Sequence, residues 1–247
     1  MDFRQLRGAL PYVWREGLKE IWYNGEIVPD DRGFITMQSM GLSFIVSPTT
    51  TPPEGSTFTP EVNENYLTQG YNPLKGDHDY TYGERTRGWK ATDEALPVDQ
   101  FRVCLERLRK NLFTRRAVMS TINPSVDCLK DEFPCMMTFQ FLFQDKALNA
   151  LVSMRSNDFF RAFPQNVTLY SKWLIDMAEA LGVQVGYVYV LDGSAHIYEE
   201  SFEEVARFLK KDEIPSHRRA EITRVKAWRD QKREREASLE ALGVKHG

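Results

Sequence analysis

The order of helix-like and strand-like segments predicts an α+β (mixed α/β) fold, one large mixed β-sheet flanked by helices. Three observations carry this expectation. Apolar, β-rich runs recur at 40–46, 138–143, 150–154 and 183–191. Amphipathic helical stripes lie between and before them. Neither an internal repeat nor a clean linker divides the 247 residues, which suit a single domain over 1–247 with a sizeable core.

Taken in order, Leu6, Leu10, Val13, Trp14, Leu18, Ile21 and Trp22 recur at three- and four-residue steps and predict a helix over 5–23, interrupted near its start by Pro11. A turn-rich loop through Asp31-Arg32-Gly33 leads to the strand at 40–46. Residues 47–79, rich in Pro, Thr, Gly and Asn, read as a long loop with one short helix around Glu61–Leu67. A helix is predicted from Asp99 to Lys110, then a strand that begins on Arg115-Arg116. The strands at 138–143 and 150–154 are joined through Gln144-Asp145-Lys146. Leu169, Trp173, Met177 and Leu181 form one stripe of a helix over 167–181, with Gly182 as its stop. The strand at 183–191 follows, then a short helix at Ser201–Lys211. From His217 to Glu240 the chain is polar and helix-prone, with Ile222, Val225 and Trp228 expected as its packed stripe.

Composition narrows the function classes. Apolar residues make up 42% and charged residues 27%, ordinary values for a globular protein. No apolar run reaches membrane-spanning length, and the first residues lack the apolar core of a signal peptide, so a cytoplasmic location is expected, the host cytoplasm if the source is viral. The three cysteines, Cys104, Cys128 and Cys135, show no paired or CxxC spacing; reduced thiols are expected, and no metal site. A net charge of −3 gives no global attraction to nucleic acid, which is not an expected partner. Eight basic against four acidic residues between His217 and Glu236 make a local excess, but their interleaving reads as a solvated surface helix.

The chemistry concentrates between Pro134 and Asn166, where a cysteine, a fixed cation and hydrogen-bonding side chains occur within one strand–turn–strand–helix unit. Alone, each has a bland reading: an inert buried thiol, a solvated arginine, an asparagine capping the helix that follows it. Together FPCMMTFQF, MRSNDFFRAFPQN, FTRRAV, YTYGER and GSAHIYE resemble the thymidylate synthase superfamily, which includes pyrimidine nucleotide hydroxymethylases, and are closest to its archaeal-type branch. The register agrees too. Twenty residues separate Arg115 from Cys135, twenty separate Cys135 from Arg155, and thirty separate Asn166 from His196.

The resemblance implies that fold, with a sheet face used for homodimerisation, and folate-dependent one-carbon transfer to C5 of a pyrimidine deoxynucleotide. Cys135 would add to C6, activating C5 by making the ring enolate-like. Arg155, Ser156 and Arg32 would hold the 5′-phosphate, joined by Arg115 and Arg116 from the partner subunit of a homodimer. Asn166 would read the base, favouring dUMP over dCMP. His196 and Tyr198 would hold the 3′-hydroxyl, Asp158 would contact the cofactor 5,10-methylenetetrahydrofolate, and Tyr82 would help remove the C5 proton. Gln140 would order the site.

Four departures from the family's pattern point toward the product. Met136 follows the nucleophile where His is usual. No acidic residue clearly replaces the general-base Glu, the options being Glu61, Glu64 and Glu84. Residues 72–79 carry no Trp, and the chain closes on a charged helix and Val-Lys-His-Gly rather than an apolar tail. A wetter site favours hydroxymethylation of dUMP over reductive methylation to dTMP. A non-catalytic nucleotide- or RNA-binding homologue is the alternative of another class; the intact Cys135 argues against it.

Overall fold

The computed structural model describes residues 5–57, 59–90, 92, 94–210, 214 and 216–241. Its centre is an eight-stranded mixed sheet, counted among the described residues. In chain order the elements are β1 (Gln5–Gly8), α1 (Leu10–Asn24), β2 (Glu26–Pro29), β3 (Ile35–Val46), α2 (Pro60–Gln69), α3 (Tyr82–Arg87), α4 (Gln100–Lys110), β4 (Val118–Ser120), α5 (Pro124–Asp127), β5 (Met136–Gln144), β6 (Ala147–Met154), β7 (Asn157–Asp158), α6 (Phe163–Leu181), β8 (Gln184–Tyr198), α7 (Phe202–Phe208) and α8 (Ser216–Ala241). The sheet runs β1-β3-β8-β6-β5-β4, with β2 added to β3 and β7 to β8.

The crossover from β6 through α6 to the parallel strand β8 organises the site. Parallel neighbours need a long connection, and here the helix supplies it. Leu169, Tyr170, Trp173, Leu174 and Met177 bury the inner face of α6, and Gly182 ends the helix in the left-handed region at φ 67°. Val188 and Val190 of β8 lie in the same core, while the alternating Tyr187, Tyr189 and Leu191 point to the opposite face, where they are half-buried to exposed. β3 and β8 stay paired from Thr36↔Tyr198 to Val46↔Val188, with a left-handed Gly41 at φ 66° inside β3.

Several boundaries differ from the sequence expectation. The predicted helix over 5–23 is a strand followed by a helix. Gln5–Gly8 pairs in parallel with Ser43–Val46, and Pro11 stands in the first turn of α1, where a missing N–H leaves no bond unmade. The helix predicted at 167–181 begins at Phe163, so Asn166 is no cap: its N–H already bonds Ala162 O at 2.9 Å. The strand predicted at 183–191 continues to Tyr198. YTYGER contains a further helix, α3, capped by the Thr81 hydroxyl on Glu84 N–H at 3.0 Å.

α8 packs on its own chain. Arg218 donates to Gly25 O and Tyr23 O, both at 2.7 Å, and Ile222 is buried. Further along, Arg229 donates to Gly33 O at 3.1 Å and Arg233 to Arg32 O at 2.8 Å. Trp228, expected in the packed stripe, is 54% exposed instead. It lies about 100° around the helix from the face shared by Arg218, Ile222, Val225 and Arg229. The terminal Val-Lys-His-Gly lies outside the described residues.

α3 is tied to α5 by a buried ion pair. The Arg85 guanidinium grips both Asp127 oxygens, at 3.0 and 2.9 Å, and both residues are at most 2% exposed. Replacing Asp127 with Ala takes the bidentate partner from this buried cation and leaves it Glu84 at 3.1 Å, so urea unfolding of D127A is expected to show a loss of about 3 kcal/mol. A loss below about 1 kcal/mol would mean the pair does not fix α3.

Candidate active site

A cavity of about 590 Å³ opens where the ends of β6, β7 and β8 meet the N-terminal turn of α6, and Cys135 lies in its wall. Of the residues singled out by sequence, Arg32, Tyr82, Cys135, Arg155, Ser156, Asp158, Asn166, His196 and Tyr198 all line it. Arg115 and Arg116 do not. They are exposed just before β4, where Arg115 O accepts from Gln140 Nε2 at 2.9 Å and Arg116 O accepts from Arg107 Nη1 at 2.5 Å. Gln140 therefore sits with Arg115, and not in the cavity, because the sheet's alternation turns it away from buried Phe139 and Phe141.

Cys135 immediately precedes β5 and is held on both sides. Its carbonyl accepts from Arg155 N–H at 2.8 Å, and its N–H donates to the Tyr80 hydroxyl at 3.3 Å. The same hydroxyl donates to Sγ at 3.8 Å. Next in line, Met136 N–H donates to the Tyr82 hydroxyl at 3.2 Å. Burial raises the pKa of Tyr80 and pushes that of Tyr82 well above the ordinary range. Both phenols stay protonated at neutral pH and keep a hydroxyl proton to donate. Sequence reading missed Tyr80; its signal was a second tyrosine two residues before Tyr82 in an extended segment.

The cations hold backbone and carboxylates. Arg155 donates to Phe133 O at 2.8 Å and Pro134 O at 3.2 Å, and lies over the Phe133 ring at 4.2 Å. This ties down the two residues before Cys135. Arg32 is exposed, bonding Asp30 at 3.1 Å, Glu132 at 3.4 Å and the Tyr198 hydroxyl at 2.7 Å. Asp30, Asp31, Asp131 and Glu132 give the cavity a rim of carboxylates. Glu61, Glu64 and Glu84, the options for a general base, do not line it; Glu84 pairs with Arg85 at 3.1 Å.

β7 brings Asp158 opposite His196. Asp158 Oδ1 caps the following turn, accepting from Phe160 N–H at 3.1 Å and Arg161 N–H at 3.0 Å. Burial raises the Asp158 pKa and lowers that of His196, although each charge favours the other. The imidazole is therefore neutral near pH 7, with Nδ1 at 3.3 Å from Ser194 O and its ring edge-on to Tyr198.

Asn166 is the end of a buried polar chain. Its Oδ1 accepts from the Tyr66 hydroxyl at 2.7 Å, and its Nδ2 donates to Asn157 Oδ1 at 3.4 Å. Asn157 Nδ2 in turn donates to both Asp192 oxygens, at 3.3 and 3.2 Å. Burial pushes the Asp192 carboxyl from 3.8 to about 7, and the bonds from Asn157 offset only part of that. Sequence reading missed Tyr66, Asn157 and Asp192.

Two outcomes follow from this geometry. Tyr80→Phe removes a hydroxyl donor from the sulfur, and iodoacetamide alkylation of Cys135, read by peptide mass, is expected to slow by about three- to tenfold. An unchanged rate would remove Tyr80 from the thiol's support. Asp192 protonates more readily folded than unfolded, so its contribution to stability is full below about pH 4 and is lost as pH rises through about 7. Between about pH 5 and 7 the unfolding free energy of the parent is expected to fall relative to Asp192→Asn by about 1 kcal/mol per pH unit. Parallel pH profiles would refute the shift.

A family model described as thymidylate synthase matches residues 56–236. A protein of Methanococcoides burtonii is 33% identical over 203 residues, covering 80% of this chain and 90% of the relative. One from Methanosarcina mazei has the same identity and coverage, and one from Methanothermobacter thermautotrophicus is 32% identical over 216 residues, covering 80% and 94%. All three carry the name "Putative thymidylate synthase". With a match over most of its length and relatives a third identical across most of both chains, this protein belongs to the thymidylate synthase family, enzymes that transfer a one-carbon unit from methylenetetrahydrofolate.

Proposed function

We propose that the protein transfers a one-carbon unit to C5 of dUMP, with 5-hydroxymethyl-dUMP as the product. The observation that carries the transfer is a single cavity holding Cys135, the cation Arg155 and the amide of Asn166. The Cys135 thiolate adds to C6, and the displaced electron pair gives C5 enolate character. Arg155, Ser156 and Arg32 receive the 5′-phosphate, whose charge competes with Asp30 and Glu132 for the Arg32 guanidinium. Asn166 has one lone pair and one N–H left beyond its protein bonds, the complement of uracil N3–H and O4. Neutral His196 and Tyr198 face the sugar 3′-hydroxyl. Tyr82, beside Met136 N–H, orders the water that takes the C5 proton.

The cavity also suits the folate. Its volume falls in the range of small-molecule sites. Asp158 Oδ2 has no hydrogen-bond partner among the described residues, an acceptor free for the N–H groups of a pterin. Methylenetetrahydrofolate supplies the one-carbon unit and, for a methyl product, the hydride.

Two features support water as the nucleophile that adds to the methylene left on C5 once the folate amine has departed, giving the hydroxymethyl group. Residues 72–79 are exposed and offer no Trp to close over the cavity, and the rim of carboxylates keeps water at the mouth. The second reading, reductive methylation to dTMP, is favoured by the names of the relatives. A purely binding role finds less support, since Arg218, Arg229 and Arg233 of the basic helix α8 hold backbone carbonyls of their own chain. Homodimerisation is supported by the half-buried Tyr187 and Tyr189 beside exposed Leu191, and by the exposure of Arg115 and Arg116 outside their own cavity.

Incubation with methylenetetrahydrofolate and either dUMP or dCMP, followed by mass spectrometry, tests the proposal. A hydroxymethyl adduct of dUMP without dihydrofolate is expected; dTMP with dihydrofolate would establish the second reading instead. Cys135→Ala is expected to abolish C5 hydrogen release. Asn166→Asp is expected to shift preference toward dCMP, and unchanged base selectivity would refute its reading role.

A further inference from the structure

An asparagine can read either pyrimidine, depending on which way its amide is turned. With its oxygen toward N3–H and its N–H toward O4 it fits uracil; turned over, it fits N3 and the amino group of cytosine. The identity of Asn166 therefore does not choose the base. Something must fix the turn.

The buried chain behind Asn166 does this through its far end. The Tyr66 hydroxyl can give or accept, and the Asn157 amide can itself be turned, so neither imposes a direction. An ionised Asp192 can only accept. It draws the Asn157 N–H groups to itself, which leaves Asn157 Oδ1 toward Asn166 and requires Asn166 to present Nδ2. Turning either amide would set oxygen against oxygen where Asn157 and Asp192 are at most 2% exposed. Unlike Asn157 and Asn166, Asp192 does not line the cavity.

We propose that Asp192, acting through Asn157, fixes the direction of the Asn166 amide and so determines selection of uracil over cytosine. Asp192 is a positioning residue that never touches the nucleotide. The proposal rests on the reading of Asn166 as the base-contacting residue.

The test compares dUMP with dCMP as C5-tritiated substrates, with methylenetetrahydrofolate, at about pH 8, where the carboxyl is ionised. Tritium release reports attack at C5 whichever product forms. The parent is expected to prefer dUMP. In Asp192→Asn, where either amide direction is allowed, the ratio of kcat/KM values for dUMP over dCMP is expected to narrow by about tenfold. Asn157→Ala cuts the chain without altering Asp192 and is expected to narrow the ratio as well, so it decides the matter if Asp192→Asn fails to fold. The exchange variant Asn157→Asp with Asp192→Asn places an acceptor-only group beside Asn166 and is expected to restore the ratio. An unchanged ratio in the single variants, or an equal loss on both nucleotides, would overturn the proposal. A parent that prefers dCMP would overturn the uracil reading itself, before any variant is made.

Discussion

The two-residue strand β7 is the constraint on which the site depends. After β6 ends, the chain turns through Arg155 and Ser156 and re-enters the sheet by pairing Asn157 with Ala195 and Asp158 with His196. That brief parallel contact fixes the relative height of two segments that are distant in sequence. It puts the guanidinium of Arg155 behind Cys135, the Asp158 carboxyl beside the imidazole, and the Asn157 amide between Asn166 and Asp192. Trp14 of α1 secures the next residue, donating from Nε1 to Phe159 O at 2.9 Å. A slip of one residue here would reverse the faces of Asn157 and Asp158 and separate both groups from their partners.

Local pattern and residue type made some of this legible and hid the rest. The stripe through Leu169, Trp173 and Met177 identifies α6 because its burial repeats every helical turn. β1 escapes because a four-residue strand at the edge of a sheet has too few residues for a period, and Leu6 falls by coincidence on the helical spacing that follows. Asp192 is misleading for a different reason. Asp-Gly after an apolar run signals a turn, but here the strand carries on, its carboxyl buried at 1% exposure. Chemistry-bearing residues such as Cys135 and Arg155 are recognisable by type and interval. Tyr66, Tyr80 and Asn157 gain their meaning only from partners up to 100 positions away, and no local pattern contains that.

Burial within the site serves two ends. Desolvation biases Tyr80, Tyr82, Asp158 and His196, all in the cavity wall, toward their neutral forms. The charge is gathered at the rim, where Arg32 sits among carboxylates in contact with water. The exposed cation at the mouth is thus separated from the buried donors and acceptors of the wall beneath it.

The contact between α8 and the Arg32 loop has a consequence for synthesis of the chain. Gly33 O and Arg32 O are held by Arg229 and Arg233, about two hundred residues later. On the ribosome the Arg32 loop is made well before these donors, and the described sheet strands are synthesised ahead of α8. A nascent chain that already holds Cys135 and Asn166 therefore still lacks the brace on its Arg32 loop. α8, made after every described strand of the sheet, then braces a loop made before most of them.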